Sequence, residues 1–360
     1  MQQTPNITRR GVQRFPGSIE GDAARAPGEP VRVAFLLVPQ FSLMGFSAAI
    51  EPLRSANLVR GTTLYEWQLV SLDGQPVVAS NGISVAVSTS LESLNGPDML
   101  VVCVGLEPLA YAADRRLLHP LRALARHGCR IGAISGGSFV LAEAGLLSGR
   151  RATVHWQYLD LFRMRYPTLE VSQDLYVVDR DVFTCSGGTA AMDLMLYFVG
   201  EQYGADLALA VAEQFIHPQI RPQKDRQRME RHARYQVANP RLVSVIEMME
   251  GSLADPMSLQ RIADRAGLST RQMQRLFHQH IGKAPAPFYL QLRLERARTL
   301  ILETTRPIGE VALECGFTST SHFCNAYKRV LGRTPSDERR HLRRRAAVDG
   351  AATQPPAPPT

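Results

Sequence analysis

The chain has 360 residues, of which 45% are hydrophobic, and its formal net charge is +8. This length favours two domains over one, and the apolar content is enough for sizeable cores. Its five cysteines are an odd number without metal-ligand spacing, which argues against a disulfide framework and a structural metal and fits a cytoplasmic protein. No apolar run reaches the length of a membrane span.

The positive charge is confined to one end of the chain. Residues 1–220 contain 17 Arg, no Lys and 20 acidic residues, a net of −3, whereas residues 221–345 contain 24 basic and 12 acidic residues, a net of +12. This distribution is expected when one domain binds a polyanion and the other does not. Residues 1–30 and 346–360 have a Gly/Pro-rich or Ala/Pro-rich composition that predicts a disordered leader and a disordered tail.

Strand-like and helical patterns alternate in the first half of the chain. Strand-like runs occupy residues 31–38, 67–71, 99–104, 130–134 and 181–185, and the runs at 31–38 and 99–104 are apolar enough to predict buried strands. Helical patterns follow at residues 46–59, 115–127, 138–144 and 190–201. The alternation predicts an α/β domain whose parallel sheet is flanked by helices, with its ligand site at the carboxyl ends of the strands.

Two glycine-rich turns lie at such strand ends. Ser135-Gly136-Gly137 is one residue short of a nucleophile elbow, so Ser135 is a candidate nucleophile and His155 its candidate base. The alternative is a tight turn that keeps only the shape of the elbow, because no acidic third member is evident. The second turn runs from Cys185 to Thr189 and opens a helix, where free N–H groups suit an anion.

Residues 31–215 resemble the class I glutamine amidotransferase-like (PfpI-type) domain, in the version found in GlxA-type transcriptional regulators. The matching strings are FSL at 41–43, EPL at 51–53, SNG at 80–82, AEAGLL at 142–147, RATVHW at 151–156 and GGTA at 187–190. Enzymes of this flavodoxin-like fold place a cysteine at the elbow and an acid on the first strand-to-helix loop. This chain has Ser135 and Gly45 at those positions, so the resemblance implies a sensing domain without thiol chemistry.

The resemblance also implies the class of ligand, since such regulators respond to amino acids, betaines and carnitine. A zwitterion would suit a helix N-terminus opposed by an aromatic wall. The candidate ligand-binding residues are Ser135, Gly136, His155, Trp156, Cys185 and Gly187. The alternatives are that both turns are ordinary connections, that His155 satisfies a buried hydrogen bond, and that Trp156 and Trp67 belong to the core.

Residues 216–238 change to a proline-punctuated, basic composition, which predicts a linker between two domains. Beyond it the chain repeats itself, because Ile262–Ser269 is matched by Val311–Thr318. Each copy reads as a short helix, a glycine turn and a second helix, the helix-turn-helix pattern. The repeat predicts an all-α domain over residues 239–345 with two helix-turn-helix units.

The second helix of each unit carries the candidate DNA-binding residues. In the first unit Arg271, Gln274 and Arg275 share the outer face, and these side chain types pair with guanine and adenine in the major groove. In the second unit the outer face is more neutral, which predicts fewer base contacts. Its candidate residues are Thr320, Ser321 and Asn325.

The second region closely resembles the AraC/XylS family signature. The matching strings are RLERA at 293–297, VA at 311–312, GF at 316–317, YK at 327–328 and GRTP at 332–335. The resemblance implies a cytoplasmic homodimeric regulator, an activator more than a repressor, with double-stranded DNA, a small-molecule effector and RNA polymerase as partners and no cofactor. Two alternatives stay open: an amidase or peptidase with a DNA-binding tail that uses Ser135 and His155, and a first domain that only dimerises.

Overall fold

The computed structural model describes residues 29–227, 239–304 and 306–340. Residues 1–28 of the predicted leader, the predicted tail at 346–360 and residues 228–238 of the predicted linker lie outside the described residues. The chain divides into two compact units, Met1–Gln227 and Arg228–Thr360, and each is considered by itself below.

The first unit is built on a seven-stranded sheet. Its order is β10-β11-β7-β6-β1-β2-β5, and every neighbouring pair is parallel except β10 with β11. The strands of this unit are β1 Val31–Leu37, β2 Tyr65–Ser71, β3 Val77–Val78, β4 Ser84–Val85, β5 Thr89–Ser90, β6 Met99–Val104, β7 Arg130–Ser135, β8 Arg151–Thr153, β9 Glu170–Ser172, β10 Tyr176–Asp179 and β11 Val182–Cys185. Its helices are α1 Leu43–Arg60, α2 Pro108–Ala112, α3 Arg115–Arg126, α4 Gly137–Glu143, α5 Leu159–Arg165, α6 Ala190–Tyr203 and α7 Ala205–Gln214.

Helices cover both faces of the sheet, which explains why its central strands are mostly apolar. One core joins α1, α6 and α7 to one face, and a second core joins α3, α4 and α5 to the other. All six residues of β6 are buried, as expected for a strand enclosed on two sides. The predicted α/β fold with a parallel sheet is confirmed, although the short β8–β9 sheet and α7 were not anticipated.

The second unit is helical. Its helices are α8 Pro240–Gly251, α9 Leu259–Arg265, α10 Thr270–His280, α11 Pro285–Glu303, α12 Ile308–Glu314 and α13 Thr320–Leu331, and residues 335–340 are also helical. Helices α8 to α10 enclose one core and α12 with α13 another. Helix α11 belongs to both, since Phe288 packs in the first core and Leu294 in the second. The predicted pair of helix-turn-helix units is confirmed.

The turns of the two helix-turn-helix units have the predicted glycine geometry. Gly267 and Gly316 have φ of 65° and 73°, a left-handed conformation that glycine adopts without a steric cost. Ser269 starts α10 with a capping box that Gln272 completes, whereas Ser319 caps α13 through its side chain alone. All five cysteines are free. None of the described helices is long and apolar enough to cross a bilayer.

Candidate effector site and DNA-binding face

The elbow at Ser135 lies where three neighbouring strands end. Strand β7 stands between β6 and β11, with Val104 paired to Ser135 and Cys185 paired to Ile134. Because the three strands are parallel, the chain segments that follow them emerge at the same carboxyl edge of the sheet. The two predicted turns and the loop after β6 are therefore brought together at one edge.

Close backbone packing fixes the shape of the elbow. Ser135 has a left-handed φ of 59°, and Gly187 has a φ of 91°. A Cβ atom on Gly187 would lie 2.9 Å from the Cβ of Ser135, and one on Gly136 would lie 2.8 Å from the Cβ of Pro108. Glycine is required at both positions, since a side chain would displace the neighbouring segment. The elbow is a strained, tightly enclosed turn, as its sequence predicted.

The segment after β8 is fastened to the same edge. The Tyr158 hydroxyl donates to the Gly105 carbonyl at 3.0 Å, and the same carbonyl lies 3.2 Å from where a Cβ on Gly136 would stand. The ring of His155 has its centroid 5.4 Å from that of Trp156, which is 39% exposed. Through Tyr158, the predicted residues His155 and Trp156 are tied to the loop that touches the elbow.

The hydrogen bonding of His155 defines its chemistry. Its Nδ1 accepts the backbone N–H of Gln157 at 3.4 Å, so the proton of the neutral ring must be on Nε2. Burial lowers the pKa of His155 to about 4, which keeps the ring neutral at pH 7. In a catalytic triad the proton lies on Nδ1 and Nε2 accepts. The ring at this position therefore offers an N–H donor to a ligand.

The Ser135 hydroxyl and the glycine at position 45 also differ from what a catalytic triad requires. The Ser135 hydroxyl makes no hydrogen bond to any of the described residues. A Cβ on Gly45 would lie 3.2 Å from Cγ2 of Ile134 and 3.5 Å from the N atom of Gly188, so position 45 faces the elbow. An acidic side chain here would point at the elbow, and glycine removes it. The acidic residue that enzymes of this fold carry on the first strand-to-helix loop is therefore absent at position 45.

The turn after β11 presents backbone groups and not its thiol. Cys185 is fully buried, its Sγ accepts the Gly187 N–H at 3.4 Å, and burial raises the pKa of its thiol to about 12. The thiol therefore supports the turn from within, and the prediction of an anion site rests on the backbone N–H groups. The N–H groups of Gly188 and Thr189 donate to no other described residue, so they remain available as donors at the start of α6.

Glu107 is a residue of this edge that the sequence interpretation missed. It follows β6, has a left-handed φ of 53° and precedes Pro108, which packs on Gly136. Its half-buried carboxylate forms no hydrogen bond or ion pair within the described part of the chain, and burial raises its pKa. The available signal was its place directly behind a buried strand, where the ligand site of a parallel sheet lies.

Trp67 lies elsewhere. It lines a cavity of about 500 Å³ together with Arg32 and Tyr65, near the amino ends of β1 and β2. Of the two tryptophans, Trp156 is therefore the one tied to the carboxyl edge.

In the second unit, the predicted base-reading residues lie on the outer face of α10. Met273 and Phe277 are fully buried, while Arg271, Gln274 and Arg275 are exposed. Among the described residues, none of these three side chains forms a hydrogen bond or ion pair. Helix α10 therefore presents two unneutralised guanidinium groups and an amide, the donors and acceptors that major-groove recognition uses.

The corresponding face of α13 is neutral at its start and basic at its end. Thr320, Ser321 and Asn325 are exposed, as predicted, and Phe323 is buried beneath them. Lys328 and Arg329 are also exposed in the last turn, an addition that the sequence interpretation did not name. Their signal was the helical spacing of three and four residues from Asn325.

Comparison with known proteins identifies both units. A DJ-1/PfpI family model matches residues 31–201, and a helix-turn-helix domain model matches residues 262–341. The chain is 45% identical over 324 residues to the HTH-type transcriptional regulator CdhR of Pseudomonas aeruginosa, which covers 90% of this chain and 95% of CdhR. It is 37% identical over 309 residues to the regulator GlxA of Rhizobium meliloti, with 86% and 95% covered. The chain belongs to the GlxA-type AraC/XylS regulators.

Membership of this family confirms the prediction of a DNA-binding transcriptional regulator. The chain is also 33% identical over 198 residues to the isonitrile hydratase of Pseudomonas putida, a match that covers 53% of this chain and 81% of that enzyme. The relatives named above that match nearly the whole chain are regulators, and they do not favour the alternative of an amidase or peptidase with a DNA-binding tail.

Proposed function

We propose that the first unit of this regulator binds a small zwitterionic nitrogen compound, of the class of betaines, carnitine and amino acids, at the carboxyl edge of its sheet. The observation that carries the proposal is the half-buried carboxylate of Glu107, which has no counter-ion among the described residues. Removing a charge from water without a partner is unfavourable, so a ligand cation is the natural complement.

The two ends of a zwitterion match two parts of the edge. The N–H groups of Gly188 and Thr189 are available to a carboxylate, at the start of the fourteen-residue helix α6. The Glu107 carboxylate and the exposed Trp156 ring are suited to an ammonium group. His155 adds an Nε2–H donor, and Ser135 a hydroxyl without an internal partner.

The first unit acts, in this proposal, as a sensor and not as an enzyme. A Ser135–His155 pair needs Nε2 free to accept the serine proton, whereas the Gln157 contact leaves the proton on Nε2. No acidic side chain orients the pair at position 45, where the chain has glycine. We expect purified protein and its Ser135→Ala variant to show the same background rate on amide and ester substrates. Serine-dependent turnover would contradict the sensor.

The regulator is proposed to act as a cytoplasmic homodimer that activates transcription by recruiting RNA polymerase when the effector is bound. Sedimentation of the full chain and in vitro transcription with and without effector test these two points. A monomer at working concentrations, or effector-dependent repression, would overturn them.

The effector site is tested by calorimetric titration of the full-length protein with L-carnitine, glycine betaine and L-arginine. Glu107→Gln keeps the shape of the side chain and removes its charge, so we expect affinity to fall by about tenfold or more, since a lost charge pair costs at least 1.4 kcal/mol. Glu92→Gln, an exposed site in the same unit, is the matched control. Equal affinity of Glu107→Gln and Glu92→Gln would show that the carboxylate does not bind the cation.

A further inference from the structure

The segment 217–227, which follows α7 and ends the first unit, is anchored to the two chain segments that form the effector site. Its residues form hydrogen bonds with α6 at one end and with the β8 region at the other. Because the chain continues from Gln227 toward Asn239 and α8, this segment is the covalent route from the sensor to the DNA-binding unit.

The first anchor is the carboxylate of Asp193, which is fully buried in the first turn of α6. Oδ2 accepts from Nε of Arg221 at 2.9 Å and from its Nη2 at 2.6 Å, and Oδ1 accepts from the Arg221 N–H at 2.8 Å. His217 Nε2 lies 2.9 Å from Oδ1. The same Arg221 guanidinium donates to Oγ1 of Thr189 at 2.8 Å. The Arg221 guanidinium, which donates twice to one carboxylate oxygen and once to Thr189, thus holds the start of the segment against the turn that offers the Gly188 and Thr189 amides.

The second anchor is the side chain amide of Gln227. Its Nε2 lies 2.9 Å from Oγ1 of Thr153, 3.0 Å from the carbonyl of Val154 and 2.9 Å from the carbonyl of Asp174. The preceding main chain is also held, because the Leu175 N–H donates to the Gln223 carbonyl at 3.0 Å. Val154 is the residue directly before His155, so the end of the segment is one peptide unit from the proposed donor to the effector.

Both anchors therefore lie within one or two residues of groups that the effector would contact. A ligand that draws the Gly188–Thr189 turn or the His155 ring toward itself changes the positions of the Thr189 hydroxyl and the Val154 carbonyl. Hydrogen bonds weaken steeply with distance and angle, so such a shift alters how firmly the segment is held. Coupling between two sites requires contacts of this kind, whose strength differs between the two states.

We propose that Arg221 and Gln227 are positioning residues that transmit effector binding to the DNA-binding unit through segment 217–227. The proposal rests on the proposed function, because it takes the carboxyl edge as the effector site. A purely structural role is the alternative, in which the two side chains only complete the surface of the first unit. The two interpretations differ in the coupling free energy between effector and DNA, and not in either affinity alone.

The test uses the full-length protein and a DNA site selected from fragmented genomic DNA. Gln227→Met keeps the length of the side chain and removes its donors. Gln223→Met is the matched control, because the Gln223 side chain forms no hydrogen bond with the described residues and only its backbone carbonyl is used. Arg221→Lys is a second variant that keeps a positive charge beside Asp193 but lacks the guanidinium that donates to Asp193 and Thr189 together.

We expect Gln227→Met and Arg221→Lys to bind L-carnitine, and to bind DNA without effector, within about twofold of wild type. The change in DNA affinity that the effector causes should fall at least fivefold, and so should the change in effector affinity that DNA causes, because coupling is reciprocal. Gln223→Met should behave as wild type. Normal coupling in both variants would overturn the proposal.

A second readout needs no effector. DNA binding to the wild-type protein should change amide hydrogen exchange in residues 151–155 and 187–193, and Gln227→Met should abolish that change. Loss of the response in Gln223→Met as well would assign it to general destabilisation and overturn the specific role of Gln227. If no zwitterion binds the wild type while DNA still changes exchange at these residues, the proposed effector fails and the transmitting segment stands.

Discussion

The guanidinium of Arg293 lies 4.1 Å from the centre of the Phe317 ring, and this contact fastens the linking helix α11 to the turn of the second helix-turn-helix unit. Nε of Arg293 donates to the Cys315 carbonyl at 2.8 Å and Nη2 to the Gly316 carbonyl at 2.7 Å. These are carbonyls at the end of α12, where a cation complements the helix dipole. Burial lowers the pKa of Arg293, which is the cost of placing it there.

The same turn is also held by residues of the first helix-turn-helix region, within the DNA-binding domain. A Cβ on Gly316 would lie 2.4 Å from Cγ of Pro256 and 2.9 Å from the Leu253 carbonyl, so the loop after α8 packs directly on it. The equivalent Gly267 has nothing within 4 Å of its missing Cβ. The second turn is therefore fixed from two sides and the first is open. The loop after α8 thus packs the first helix-turn-helix region against the second turn.

Replacing Arg293 should therefore loosen the spacing of the two recognition helices. We expect Arg293→Ala to lower the free energy of unfolding by about 2–4 kcal/mol, since two carbonyls lose charged donors and a ring loses its stacked partner. DNA sites with one base pair inserted between the two half-sites should be discriminated less well than by the wild type. Fluorescence anisotropy checks this by comparing the affinity for the unmodified DNA site with that for the site that carries the inserted base pair.

Arg293→Lys is the informative control, because lysine keeps the charge but cannot donate to both carbonyls and stack at once. It should recover part of the stability and little of the spacing discrimination. Discrimination at the wild-type level in Arg293→Ala would show that other contacts fix the two units.

The Gly187 position should be much less tolerant than its backbone angle alone requires. Gly187→Ala brings a Cβ to 2.9 Å from that of Ser135 at a φ of 91°, so we expect a loss of about 2–4 kcal/mol and of effector binding. Gly61→Ala is the control, since Gly61 has a φ of 73° and nothing within 4 Å, so only the backbone cost of about 1 kcal/mol applies. Equal losses in thermal unfolding would refute the close packing of the elbow.

His155 should make the first unit sensitive to weak acid. Its pKa of about 4 lies below the ordinary value of 6.5, so between these values the unfolded chain binds a proton that the folded one does not. The contribution to stability is complete above pH 6.5 and is lost as the pH falls toward 4. At about 1.4 kcal/mol per pH unit, we expect roughly 2 kcal/mol to be lost between pH 6.5 and pH 5.

Urea unfolding of wild type and His155→Gln at both pH values checks this difference. His119→Gln, which removes an exposed histidine from the same unit, is the matched control. A wild-type slope that survives in His155→Gln would assign the effect to other groups.

The two recognition helices should differ in what they read. Arg275→Ala removes a free guanidinium from α10 and should weaken specific binding by about 1–3 kcal/mol with relaxed specificity. Asn325→Ala on α13 should cost less than half as much. Arg115→Ala removes the same charge from the first unit and controls for general electrostatics. A larger effect of Asn325→Ala would show that the second helix-turn-helix unit makes the main base contacts.

Periodicity and glycine placement were sufficient to predict the elements. The run VRVAFLL could only be a strand buried on both faces, and Met273 with Phe277 defined the inner side of α10, hence also the exposed side with Arg275. These are local patterns, in which the spacing of apolar side chains along the chain decides which face is covered. Gly267 and Gly316 were assigned for the same reason, because a left-handed turn is a property of one residue.

The site depended on contacts between residues far apart in the chain. Glu107 stands out only because its carboxylate is half-buried without a partner, and His155 was ambiguous until its contact with Gln157 fixed its proton. Burial of the Cys185 thiol at the end of β11 likewise depends on packing against α6 and not on the string CSGG.

The sequence by itself thus determined the family, the two folds and the exposed face of each recognition helix, since each depends on regular repeats of residue type. Only the tertiary structure decided which groups at the carboxyl edge have no internal partner and that Arg293 and Pro256 fix the second turn. It also decided that Arg221 and Gln227 hold segment 217–227 against the rest of the first unit. Hydrogen bonds and burial are properties of pairs brought together by folding, and a linear pattern does not contain them.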